Sequence, residues 1–246
     1  MSFMNWFLEV KKWQTLVFSI KKIDLKEAAH QSLMAFSISL LTPNRIGEFG
    51  AKALFFEKKQ YKKIMSLSVL GAFMQMLVSL VSGAAILVFG QDKFFSAFLS
   101  FDVSLNIKVI IILILMTVLM ILIYFYYKQK IVFNPYLWKK TFVFSSLRYL
   151  VFSTQFVLLL HFFIPSVSYS VLYQGVFLTY FFATLIPMFS FLDWAVKSSI
   201  AIWVFALFNI HSAAIIKIVI LMWGINFLIP FLMGWGLIIQ RKTFFE

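Results

Sequence analysis

The chain of 246 residues is 62% apolar, with 32 phenylalanines, a mean hydropathy of +0.94 and only 13% charged residues. A soluble domain carries about a quarter of its residues as charge, so an aqueous globular fold is excluded. The pattern is that of an all-α, polytopic transmembrane helical bundle, and the short alternating segments of a transmembrane barrel are absent. The net charge of +13 lies in short loops beside apolar runs, which points to membrane topology and anionic lipid headgroups and not to nucleic acid. The chain has no cysteine, which removes disulfides, thiol catalysis and thiolate metal sites.

Residues 1–20 mix Trp6, Phe7 and Trp13 with Glu9, Lys11 and Lys12, which suits an interfacial helix or the tail of a span. The N-terminus lacks the basic, apolar and small-residue succession of a leader, so no signal peptide is expected. Asp24 to Glu27 leads into the apolar run 28–41. Roughly 14 residues at ~1.5 Å each reach about 21 Å, short of the ~30 Å of hydrocarbon. The run stops at Pro43 and returns as a charged amphipathic stretch to about Lys59, so 28–59 reads as a re-entrant hairpin. Broken backbone of that kind is tolerated at membrane depth where it is buried in protein or lines a polar cavity.

Full spans are expected at 64–89, 107–127 and 141–163, the first rich in small residues and the second closed by the aromatic belt Tyr124 to Tyr127. Arg148 falls roughly two turns into the third. Residues 162–192 carry no charge, but Pro165 and Pro187 interrupt them, giving a segment at 169–186 that stops at Pro187. A further apolar stretch at 190–210 and a last span at 213–239 follow, and Arg241 and Lys242 come after it. Loops 1–27, 42–63 and 128–140 are lysine-rich and read as cytoplasmic, whereas 90–106 and 164–168 read as outside. A hairpin at 28–59 keeps both of its basic flanks on one side. The stretch 169–208 is open between a second hairpin and two crossings, so one or two proline-broken re-entrant segments are expected in a single membrane domain. The localisation implied is a cytoplasmic (inner) membrane, with most basic loops and the C-terminus facing the cytoplasm.

The two proline breaks resemble each other. Pro43 is followed by Glu48 and Lys52, and Pro187 by Asp193 and Lys197, each acid four residues before its lysine and on the same helix face. Such an echo suggests inverted repeats around a central site. Arg45 and Glu48, three apart, can also meet on one face, and Arg148 could cross to Glu48 or Asp193. The ordinary readings are weighed beside these. Arg148 could snorkel to the interface, and Gly47 and Gly50 could serve packing alone. Lys58, Lys59, Lys62 and Lys63 read as surface lysines, and Lys217 and His211 as interfacial. His161 reads as a helix-end histidine, and with His30 and His211 it makes no metal site.

Around Thr42-Pro43-Asn44-Arg45-Ile46-Gly47-Glu48-Phe49-Gly50 the chain resembles the lysylphosphatidylglycerol synthase transmembrane (flippase-like) family, which carries Pro-x-Arg-x-Gly-Glu after a short apolar segment. The likeness continues at Asn5-Trp6 to Lys12-Trp13, at Arg148-Tyr149 to Gln155, and at Ile186-Pro187 to Ser198. In the last of these the family has Gly-x-Arg-Gly where this chain has Ala195 and Lys197, and lysine is a poorer bidentate phosphate clamp. Family members are longer at the N-terminus by about one span, and the two-domain members add an aminoacyl-transferase domain that this chain lacks. The resemblance implies a membrane bundle with a polar cavity that binds, and flips, a lipid with an anionic headgroup. The candidate substrate-binding residues are Arg45, Glu48, Lys52, Arg148, Asp193 and Lys197.

A headgroup path needs cations for phosphate, acids to balance them when empty, and free N–H groups at a helix break. Three functions compete. A lipid transporter uses the six residues directly. A non-transporting partner or scaffold co-purifies with a lipid- or glycan-modifying membrane enzyme. An intramembrane enzyme finds only Glu48 with His30 as an acid–base pair, so no catalytic constellation and no cofactor are expected. The partners expected are anionic membrane lipids, with a homo-oligomer or a partner membrane enzyme left open.

Overall fold

The computed structural model describes residues 1–89, 134–210 and 213–240. The expected span at 107–127, the outside loop 90–106, residues 128–133 of the basic loop 128–140, His211, Arg241 and Lys242 lie outside the described residues. Within them every regular element is helical. The helices are α1 (Ser2–Val17), α2 (Leu25–Ile38), α3 (Gly47–Ala53), α4 (Tyr61–Phe89), α5 (Pro135–Phe163), α6 (Tyr169–Leu185), α7 (Asp193–Ala206) and α8 (Ala214–Gln240). Among the described residues, three stretches are long and apolar enough to cross a membrane: Lys58–Leu87, Pro135–Phe163 and Ala214–Gln240. Leu150, Leu158, Phe162, Ile229 and Leu232 stand exposed on the outer faces of α5 and α8, where lipid is the natural neighbour.

Local chemistry sets the helix ends. Asp24 caps α2, its carboxylate accepting from the Glu27 amide at 2.6 Å. Asn134 caps α5 by accepting from the Tyr136 amide at 3.0 Å, with Pro135 in the first turn, where its missing N–H costs nothing. Thr42 (ψ 139°) and Ile186 (ψ 113°) are extended, as residues before proline must be, so the 3-10 segment Ser39–Leu41 after α2 and helix α6 stop there. The return after Pro43 is shorter than its charge pattern suggests: α3 ends at Ala53, and a turn and a 3-10 segment at Lys58–Gln60 precede α4.

Most buried apolar side chains fall into two clusters that follow the two halves of the sequence, α1–α4 and α5–α8, while α1 packs on α5, α2 on α8 and α4 on α5 and α6 across them. One apolar cluster joins α1 to α4 through Trp13, Leu16, Val17, Ile64 and Leu67. A second joins α5 to α8 through Phe156, Leu160, Leu172, Phe205 and Ile218. Between the halves the two proline breaks touch. Pro43 and Phe189 form an antiparallel bridge, the Asn44 amide donates to the Met188 carbonyl at 2.9 Å, and the Met188 amide donates to Asn44 Oδ1 at 3.1 Å. Asn44 and Arg45 adopt left-handed backbone (φ 47° and 58°), which non-glycine residues enter at a cost. The last helix carries one π turn at Gly224–Leu228.

Candidate functional site

The charges around the first break form one network. Glu48 pairs with Arg45 and with Lys52 at 2.8 Å, as the i,i+3 and i,i+4 spacings predict. Lys52 also lies 3.9 Å from Glu9 of α1, and Glu9 holds Lys12 at 2.7 Å and Arg148 of α5. Arg148 donates a further bond from Nε to Asn5 Oδ1 at 2.8 Å. The side chains of Glu9, Lys12, Glu48 and Lys52 are at most 10% exposed. Four cations and two carboxylates leave an excess of two positive charges inside the bundle.

Arg148 stands apart from its sequence expectation in its partners. Its partners are Glu9 and Asn5, not Glu48 or Asp193, because α1 packs lengthwise on α5 and presents Asn5, Glu9 and Lys12 inward. The polar face of α1 is thus buried, where an interfacial helix would turn it to water. α5 begins at Pro135, so the arginine is 13 residues, ~20 Å, from that helix end and eight residues beyond the exposed Lys140. Snorkelling to a span end does not describe its position, which is paired and 15% exposed.

Two adjoining cavities open on this network. The smaller, of about 200 Å³, is lined by Glu9, Lys12, Arg45, Glu48, Lys52 and Arg148. The larger, of about 690 Å³, has Arg45, Arg148, Asp193 and Lys197 on a mainly apolar wall whose aromatic side chains include Trp6, Phe36, Phe156, Tyr180, Trp223 and Phe227. Arg45, Arg148, Gln75 and Ser79 belong to both. All six predicted residues therefore line one or both cavities. Asp193 and Lys197 form their own pair at 2.9 Å, across the larger cavity's wall from the main network.

Aromatic faces fix the cations. The Arg45 guanidinium lies 4.3 Å over Phe36, and the Lys52 ammonium 4.5 Å over Trp13, whose Nε1 donates to Gln31 at 2.9 Å. Gly47 is a packing glycine: a Cβ there meets Thr42 at 2.8 Å, and its amide donates to Thr42 Oγ1. Gly50 faces open space. His161 lies with its ring 4.1 Å from Tyr169, away from both cavities.

Sequence reasoning passed over Glu9 and Lys12 as network members, and Asn226 entirely. Asn226 sits in the π turn of α8, accepts from Asn5 at 3.3 Å and from the Trp6 indole through its carbonyl at 3.2 Å, and donates to Gln155 at 3.4 Å. A π turn at a polar residue inside an apolar helix is a recurrent mark of functional sites. The signal available was the i, i+4, i+7 spacing of Asn5, Glu9 and Lys12, which puts all three on one helix face.

These features define an α-helical membrane protein with a buried, cation-rich polar site within its helix bundle. No protein-family model, curated protein or solved structure matches the chain.

Proposed function

We propose that this protein binds a membrane lipid with an anionic headgroup in the cavity within its helix bundle and moves that headgroup across the bilayer, as its resemblance to the flippase-like family implies. The observation that carries the reading is the shared position of Arg45 and Arg148: each belongs both to the buried charge network and to the mainly apolar cavity of about 690 Å³. A headgroup entering there meets cations, while its chains meet tryptophan and phenylalanine faces. Intramembrane charge that is paired and faces a cavity is the usual mark of a substrate path.

In this reading the two proline breaks are the inner ends of re-entrant hairpins related as inverted repeats. Their antiparallel bridge supports the relation, as do the lengths of α2 (14 residues), α6 (17) and α7 (14), each under the ~20 residues of a crossing helix. The basic loops then face the cytoplasm, in a cytoplasmic membrane.

The test is transbilayer movement of a fluorescent anionic phospholipid in liposomes containing the purified chain. Arg45→Ala, Glu48→Ala and Arg148→Ala are each expected to lose at least about 90% of the rate while retaining a cooperative melting transition. Undiminished movement by folded Arg45→Ala and Arg148→Ala refutes the proposal.

A further inference from the structure

Deepening the anionic-lipid reading, and resting on it, we infer that the junction of the two cavities seats a phosphate carrying two negative charges, so that the lipid is a phosphomonoester or a diphosphate and not a phosphodiester of single charge. The first ground is charge. The groups lining the two cavities are Lys12, Arg45, Lys52, Arg148 and Lys197 against Glu9, Glu48 and Asp193. Five cations and three carboxylates leave an excess of two, and no histidine among the described residues lines either cavity to adjust it. A buried excess of that size is costly unless a counter-ion matches it. A phosphomonoester carries about −1.5 to −2 at pH 7, and a diester carries about half of that.

The second ground is hydrogen bonding. Arg45 and Gln75 line both cavities. The Arg45 Nε–H is buried without a partner, and so are both amide atoms of Gln75. Buried donors in native proteins are almost always satisfied, so unmet donors beside excess positive charge mark where an acceptor belongs. Arg45, Gln75 and Arg148 line both cavities, so we assign a phosphate at their junction as the acceptor for the Arg45 Nε–H and the Gln75 Nε2–H. The apolar wall of the larger cavity begins at the same point and suits an apolar chain attached to that phosphate.

The experiment titrates the detergent-purified full chain with dioctanoyl phosphatidic acid, dioctanoyl phosphatidylglycerol and inorganic phosphate, read by intrinsic tryptophan fluorescence at pH 7.5 and pH 5.5. At pH 7.5 the monoester lipid is expected to bind at least about tenfold more tightly than the diester lipid. At pH 5.5 the advantage should shrink to about threefold or less, because the monoester's second proton is lost only near pH 6. Gln75→Glu, which keeps the side-chain size and lowers the excess to one, should abolish the preference. Unchanged melting with and without lipid-free detergent exchange confirms that this variant folds. Equal affinity for the two lipids at pH 7.5 overturns the dianion seat and leaves the anionic-lipid reading standing. Binding of neither lipid overturns both. Inorganic phosphate binding as tightly as phosphatidic acid upholds the seat and overturns its lipid source.

Discussion

Glu9 is the side chain whose loss should cost the fold most among the charged residues, and the structure sets the size of that cost. Its carboxylate meets Lys12 at 2.7 Å, Arg148, and Lys52 at 3.9 Å, with 7% of the side chain exposed. In Glu9→Gln the shape survives and Arg148 keeps an amide acceptor, while Lys52 keeps Glu48 at 2.8 Å. Lys12 loses its counter-charge outright, and the buried excess around the network rises from two to three. Removing one partner of a buried ion pair costs about 3–5 kcal/mol, and the retained amide places this case near the lower end. About 3 kcal/mol is more than a hundredfold in the unfolding constant. The assay is reversible unfolding of the purified chain in mixed micelles titrated with SDS and followed by tryptophan fluorescence. Adding Lys12→Met to Glu9→Gln removes the stranded charge and should recover more than half of the loss. Stability of Glu9→Gln within about 1 kcal/mol of the parent refutes the claim that this network is desolvated.

Two glycines of α8 predict opposite outcomes for one substitution. A Cβ at Gly234 lies 2.2 Å from the Leu33 carbonyl oxygen and 2.3 Å from Ser37 Oγ, so Gly234→Ala should lose about 1–3 kcal/mol, whereas Gly236→Ala, facing open space, should lose none; SDS titration of both checks it. Glu57→Gln removes an ion pair whose side chains are 66–76% exposed, and its unfolding curve should overlay the parent's. Asp193→Asn breaks a partly exposed i,i+4 pair and should cost under about 1 kcal/mol, yet it alters charge in the larger cavity. Lipid movement in liposomes should therefore respond to it more than stability does.

What could be read in the sequence was whatever chain spacing alone decides. Glu48–Lys52 and Asp193–Lys197 meet because residues four apart share a helix face, Arg45 reaches Glu48 from the left-handed turn just before α3, and α6 ends where proline forbids the helical conformation of the residue before it. The contacts of Arg148 with Glu9 and Asn5 span 139 and 143 residues, and only the packing of α1 on α5 brings them together. Glu9, placed beside Trp6, Lys11 and Lys12, reads as interfacial, since nothing local tells a polar face turned to water from one turned to a buried arginine. The helix that carries Arg148 starts before its apolar run does. The Asn134-Pro135 cap, a stronger signal, places the start six residues earlier than Thr141. Asn226 gave no warning, since a lone asparagine in an apolar run reads as ordinary inter-helix bonding.

The meeting of the two breaks explains how so tight a turn can hold a guanidinium against the charge network. A helix stopped within apolar surroundings leaves amides and carbonyls unpaired, each costly to bury. Here the two breaks satisfy one another: Asn44 and Met188 exchange bonds at 2.9 and 3.1 Å, and Thr42 Oγ1 accepts from the Gly47 amide at 3.0 Å. Two consecutive left-handed residues are the cost, about 1–2 kcal/mol each for a side chain with a Cβ. Asparagine tolerates that conformation through its own short polar side chain, but arginine has no such relief, and a glycine at 45 would remove the strain. The chain instead keeps its strain at the residue that carries the charge, between Phe36 and Glu48 and with Nε left unbonded toward the cavities. Strain of this kind persists only where the surrounding structure enforces it. A turn with no other task would gain from releasing it, so its retention agrees with the proposed role of the Arg45 guanidinium at the cavities.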